Sequence, residues 1–193
     1  MRLQGTIQGG IRVKRKWMGI GLLLIVSIML MAGCGKKDDT VTIFMSDKES
    51  ASREAIDQIQ KKLDAESPDL HAEFNYSPLF DLQKVLVEYA AGGNSIVILP
   101  EDTIKTYSKD GAHIPLEDHF DQTKYEDGVF EGGVFVEGED DPVMGKHLFG
   151  IPVEDLKMFK DSGYAPKGML ACVLVSAPDQ EAAIKVLQKL AEG

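Results

Sequence analysis

The side chains able to do chemistry in this chain gather in two acidic stretches. His113, Glu117, Asp118, His119 and Asp121 lie close together, and imidazole with carboxylate is a donor set that zinc accepts. Their spacing does not match His-Glu-x-x-His, in which two imidazoles one helical turn apart face the same ion. A solvated acidic turn accounts for the same residues. The run Glu137-Gly138-Glu139-Asp140-Asp141 would draw calcium only weakly, because it lacks the regularly spaced oxygen ligands of an EF-hand loop. No Gly-x-Ser-x-Gly elbow, phosphate-binding loop or dinucleotide fingerprint occurs, and Gly145-Lys146-His147 lacks the upstream glycine and the hydroxyl of a phosphate loop. Cys172 sits in the apolar run 169–175 with no base nearby, where a thiol behaves as a small hydrophobe. The expectation is a chain that is not an enzyme and carries no cofactor and no metal site.

Cys34 offers a different chemistry. Arg12, Lys14, Arg15 and Lys16 precede an apolar run from Trp17 to Met31, and Ala32-Gly33-Cys34 follows it. Basic region, short apolar region and small residues, in that order, make a secretory signal. The run is 15 residues long, shorter than the roughly 20 a spanning helix needs; an uncleaved anchor is the alternative. The segment Leu30-Met31-Ala32-Gly33-Cys34 resembles a bacterial lipobox, which implies lipidation of Cys34 and a chain held on the outer face of the bacterial cytoplasmic membrane.

Removing residues 1–33 takes five of the 21 Lys+Arg and no acidic residue, leaving 16 against 31 Asp+Glu, a net charge of −15. That charge argues against nucleic acid, whose phosphates require basic patches. It also argues against docking on anionic lipid, so attachment would rest on the acyl group. The reading of the chain is then a signal peptide over 1–33, a polar tether over 34–40 and a single α/β domain over 41–193.

Within that domain, short β-rich runs alternate with amphipathic segments. Strands are expected at 41–45, 70–76, 95–99, 148–151 and 167–175, with helices carrying Ile56, Ile59 and Leu63, then Leu82, Val85 and Leu86, then 101–108, 153–162 and finally Ala183, Val186 and Leu190. Such alternation implies a mostly parallel sheet with helices on both faces. The stretch 117–147 is acidic, glycine-rich and aperiodic, and reads as an irregular loop.

Several ordered segments carry a resemblance: the opening strand 41–45, Leu82-Gln83-Lys84-Val85-Leu86 leading into Ala90-Ala91-Gly92-Gly93, the strand 96–99, Gly111-Ala112-His113-Ile114-Pro115-Leu116-Glu117-Asp118, and Phe149-Gly150-Ile151-Pro152-Val153. In this order the chain resembles one lobe of a bacterial extracellular solute-binding protein of the ABC-transporter type. The resemblance implies a small-molecule solute and an ABC permease as partners. It departs from the family in having length for one lobe only, and its one Trp, Trp17, lies in the leader. In a sheet of this type ligands sit outside the strand C-termini. The candidate contacts there are Ser46, Asp47, Ser77, Glu101, Asp102, Thr103 and Glu154, with helix capping as the competing role for each and anion binding at the helix N-termini as an added expectation. The alternative to solute binding is a lipoprotein whose cleft face contacts another protein.

Overall fold

The computed structural model describes residues 40–49 and 53–193. Cys34, the leader and most of the tether lie outside the described residues, and so does Ser50, which with Ser46 the sequence offers as an N-cap for the first helix. The described residues form one compact unit.

Strand β1 (Val41–Ser46) is buried along nearly its whole length. Helix α1 (Arg53–Glu66) follows, burying Ala55, Ile56, Ile59 and Leu63 on one stripe, and Pro68 stops it because proline has no N–H to continue the ladder. Strand β2 (Ala72–Ser77) leads to helix α2 (Leu82–Ala91). Asp81 caps α2, its Oδ1 accepting from the Gln83 N–H at 2.7 Å, and Gly92 closes it at φ 66°, a left-handed turn that suits glycine. Strand β3 (Ile96–Pro100) runs straight into helix α3 (Glu101–Ser108). Then come the ribbon strands β4 (Val129–Val134) and β5 (Val143–Leu148), the two-residue β6 (Ile151–Pro152), and the short helix α4 (Lys157–Asp161). Strand β7 (Met169–Val173) and helix α5 (Gln180–Glu192) complete the fold.

The main sheet has five strands in the order β2-β1-β3-β7-β6. β1 pairs in parallel with β2 and β3, whereas β7 is antiparallel to both β3 and β6. Four strands therefore point one way and β7 points back, so the expectation of a mostly parallel sheet holds in strand direction with one exception. The cause lies in the preceding connection. Helix α4 has five residues, about 7–8 Å of rise, too short to return the chain to the far end of the sheet. β7 therefore starts where β6 stops.

Alternate residues of the central strands feed two apolar clusters, as the period of two requires. Ile43, Met45, Ile96 and Ile98 join residues of α1, α4 and α5 in one. Phe44, Val97, Leu99 and Cys172 join Val85 of α2, Ile104 of α3, Phe130 and Phe149 in the other.

The stretch 117–147 is corrected by the structure, since it holds β4 and most of β5 as an antiparallel ribbon. Its glycines hid it. Gly132 occupies an inward strand position because a Cβ there would meet the Phe149 ring at 2.7 Å, and glycine lowers strand propensity on paper. Val143 and Met144, by contrast, are neighbours that both face solvent, so the usual apolar-in, polar-out alternation is missing there. At the start of α5 Asp179 is the cap, its Oδ1 accepting from the Ala182 N–H at 2.9 Å, with Pro178 just before it.

Candidate functional site

Strands β1, β2, β3 and β6 end at one edge of the sheet, and β7 begins there, with Pro100 level with Met169 and Pro152 level with Leu170. An open cleft of about 310 Å³ lies on this edge, walled by Asp47, Lys48 and Glu49 after β1, Glu101 and Asp102 at the start of α3, and residues 166–169. Four carboxylates and the two lysines Lys48 and Lys167 surround it.

Asp47 is buried and fully engaged. Its Oδ1 accepts from the Glu49 N–H at 3.0 Å, and its Oδ2 accepts from the Tyr164 hydroxyl. Burial, then that bond to Asp47, pushes the Tyr164 phenol well above the usual tyrosine range. The pair ties the loop after β1 to the one before β7. Lys48 Nζ donates to Asp102 Oδ2 at 2.8 Å and stands 5.5 Å from the centroid of the Phe80 ring. The Lys48 bond holds the Asp102 carboxyl below its usual range; with both groups exposed, solvent screens the pair. Glu101 pairs with Lys105 one turn on, and Lys105 in turn stands over the Phe130 ring at 5.5 Å.

The remaining candidates play other parts. The Ser46 hydroxyl donates to the carbonyls of Ser77 and Leu79, and the Ser77 hydroxyl donates to Leu79 O at 3.0 Å. Both are buried and spent on the loop after β2. Thr103 is buried, its N–H bonded to Asp102 Oδ1 at 2.8 Å. Glu154 sits in the 3-10 turn after β6 with Oε2 buried and unpartnered, outside the residues that line the cleft. Asp47, Glu101 and Asp102 are thus brought together; Ser46, Ser77, Thr103 and Glu154 are not. The N-terminus of α3 makes a poor anion site, because the Glu101 N–H donates to Gly168 O at 2.9 Å and the first turn carries two carboxylates.

A second groove, about 520 Å³, runs between α2 and α3. Leu82, Leu86, Thr103, Thr106 and Tyr107 line it, and Asp102 belongs to both groove and cleft. Leu79, Leu82 and Leu86 beside it are 73%, 61% and 57% exposed. Sequence periodicity assigned the α2 leucines to a core face, and Lys48 was readable only as a neighbour of Asp47. Tyr164 and residues 166–168 are more than a hundred positions from Asp47 and carried no local signal.

The histidines separate rather than cluster. His113 is 1% exposed; its Nδ1 lies 2.7 Å from Ser108 Oγ and its Nε2 2.9 Å from the Tyr89 hydroxyl. Burial holds it neutral, its pKa lowered to about 3. The Tyr89 ring stacks on Tyr107 with centroids 4.1 Å apart, and burial raises its hydroxyl far above the usual tyrosine range. Glu117 instead pairs with His147, Oε1 to Nδ1 at 2.5 Å, and Asp121 closes its own turn through the Thr123 N–H at 2.9 Å. Among the described residues no three His, Cys, Asp or Glu side chains converge as metal ligands.

No family model matches the chain, and no curated protein matches it. A solved structure of CpMnBP1 with mannotriose bound is similar at a TM-score of 0.40 and 19% identity, over 65% of this chain and 33% of that one. The chain spans about a third of that protein's length.

Proposed function

We propose that the chain is a non-enzymatic, membrane-anchored extracytoplasmic lipoprotein, an α/β lobe with helices on both faces, that binds a small polar solute at the strand-end cleft. Lipidation of Cys34 would hold it on the outer face of the bacterial cytoplasmic membrane, and ABC-type uptake is the setting that the sequence resemblance suggests. The observation that carries solute binding is the convergence of Asp47, Glu101 and Asp102 with residues 166–169 around one cleft of about 310 Å³, at the low end of small-ligand sites. A surplus of carboxylates favours a neutral hydroxylated or cationic solute over an anion. The cleft is open on one side, so affinity is modest unless a second protein closes it. Among the described residues, Ser108 hydrogen-bonds the His113 imidazole, and both are buried, which fits a non-catalytic role for this pair.

Titration calorimetry of the chain against neutral oligosaccharides, polyols and polyamines tests the solute reading. Heat that Asp102→Asn and Lys167→Ala diminish supports it, and silence across the panel removes it.

A protein-contact role is the second reading, favoured by Leu79, Leu82 and Leu86 standing exposed beside the cleft. A photo-crosslinker at position 86 in intact membranes tests it; absence of any crosslinked product there would count against the role.

A further inference from the structure

The polar cleft at the strand ends and the apolar groove between α2 and α3 share one residue, Asp102. Among the described residues it is the one charged side chain that lines the groove. Asp102 stands in the first turn of α3, and Thr103, Thr106 and Tyr107 carry the groove wall onward from it, over about 7–8 Å of helix. Both threonines keep their hydroxyls within α3. Thr103 Oγ1 donates to Asp102 Oδ1 at 3.3 Å, and Thr106 Oγ1 donates to Asp102 O at 2.8 Å. Across the groove Leu82 and Leu86 stand one turn apart on α2, each more than half exposed. The groove therefore presents mostly carbon along its length and a carboxylate where it meets the cleft.

A cation already occupies that junction. Lys48 reaches it from the loop after β1, donating to Asp102 Oδ2 at 2.8 Å, with its Nζ 5.5 Å from the Phe80 ring centroid. Both partners are exposed, so an incoming ammonium displaces Lys48 at little cost. Asp47, Glu49 and Glu101 around the cleft add to the pull on a cation. We propose that, granted solute binding at the cleft, cleft and groove are two halves of one site for a cationic amphiphile. A primary ammonium head sits on Asp102 in the place of Lys48 Nζ, and an alkyl tail lies along Leu82, Leu86 and Tyr107. The tail covers leucine surface that is otherwise in water, and that burial supplies affinity the open cleft lacks.

The test is titration calorimetry of the full chain in phosphatidylcholine nanodiscs, with empty nanodiscs as the blank, against ethyl-, butyl-, hexyl- and octylammonium below micelle-forming concentrations. Affinity is expected to rise roughly two- to fourfold per added CH2 while the tail still lengthens within the groove. Leu86→Ser should flatten the series and leave ethylammonium unchanged, whereas Val143→Ser, on a separate exposed apolar surface, should leave the whole series as it was. Lys48→Ala should tighten every member several-fold by removing the competing ammonium, and Asp102→Asn should weaken every member. A flat series in the unaltered chain, with ethylammonium still bound, overturns the tail and leaves solute binding at the cleft standing. Octyl sulfate bound as tightly as octylammonium, or a series that Asp102→Asn does not weaken, overturns the joint site. Silence toward every alkylammonium while polyols or oligosaccharides bind overturns the amphiphile alone; silence toward all of them removes the solute reading with it.

Discussion

Helices α5 and α2 both carry apolar residues at helical rhythm, yet they end in different surroundings. α5 buries Ala183, Ile184, Val186, Leu187, Leu190 and Ala191 against the cluster that includes α1 and α4. α2 buries only Val85 and leaves Leu82, Leu86 and Val87 in solvent. The neighbour of α2 explains the difference. α3 has eight residues and meets α2 through the Tyr89–Tyr107 stack among other contacts, and among the described residues Leu82, Leu86 and Val87 of α2 stay uncovered. An apolar stripe shows that a helix has a face to bury; it does not show that the same chain supplies the cover.

The largest effect should come from the closed side. Leu187→Ala removes a fully buried side chain of α5 and is expected to cost about 3 kcal/mol or more in denaturant unfolding. A cost below about 1 kcal/mol would mean that the α5 layer is no better packed than the α2 layer, and the contrast would fail.

The same contrast marks what could be read from sequence. Strands β1 and β3 were legible because both their faces are buried, so they appear as continuous apolar runs. The capping aspartates of α2 and α5, Asp81 and Asp179, were not read from the sequence, although an Asp just before an apolar-periodic run is a local start signal. The ribbon β4–β5 was not legible, because Gly132 answers to the Phe149 ring and not to strand propensity. The reversal of β7 was equally hidden, since direction is set by how far α4 carries the chain. Of the candidate site, Asp47, Glu101 and Asp102 followed from strand ends. Tyr164 could not, because the fold alone brings it to Asp47.

The second expected effect concerns the polar node on the α2 side. His113 has its folded pKa lowered to about 3 from 6.5 by burial, so between those values the unfolded chain binds the extra proton. Its contribution to stability is complete above about pH 6.5 and is lost as pH falls toward 3. By pH 4.5 the loss should reach about 2–3 kcal/mol. Unfolding curves for the chain and for His113→Gln, taken from pH 7 to 4.5, isolate this term, because the carboxylates are common to both. The gap between the two should close as pH falls. Parallel pH dependences would show that the imidazole is reached by water and that the α2 layer is looser than its geometry.

Tyr89→Phe probes the same node at neutral pH. The variant keeps the ring stacked on Tyr107 but leaves His113 Nε2 without its hydroxyl partner, at a cost of about 1–2 kcal/mol. A result near zero in thermal unfolding would mean that the Tyr89 hydroxyl is not holding α2 to the segment after α3.

The smallest stability effect is the most informative about the open face. Leu86→Ser and Leu82→Ser remove side chains that are mostly in water, 57% and 61% exposed, so each should change stability by less than about 0.5 kcal/mol. Set beside Leu187→Ala, that would make two leucines on similar helices differ several-fold in cost for one reason, whether anything covers them. A penalty comparable to Leu187→Ala would instead place Leu86 in a core formed in solution and close the groove between α2 and α3. If stability is unchanged while crosslinking from position 86 is lost in Leu82→Ser, the leucines are held for a partner and not for the fold. The groove, rather than the polar cleft beside it, would then be the surface through which the domain is recognised.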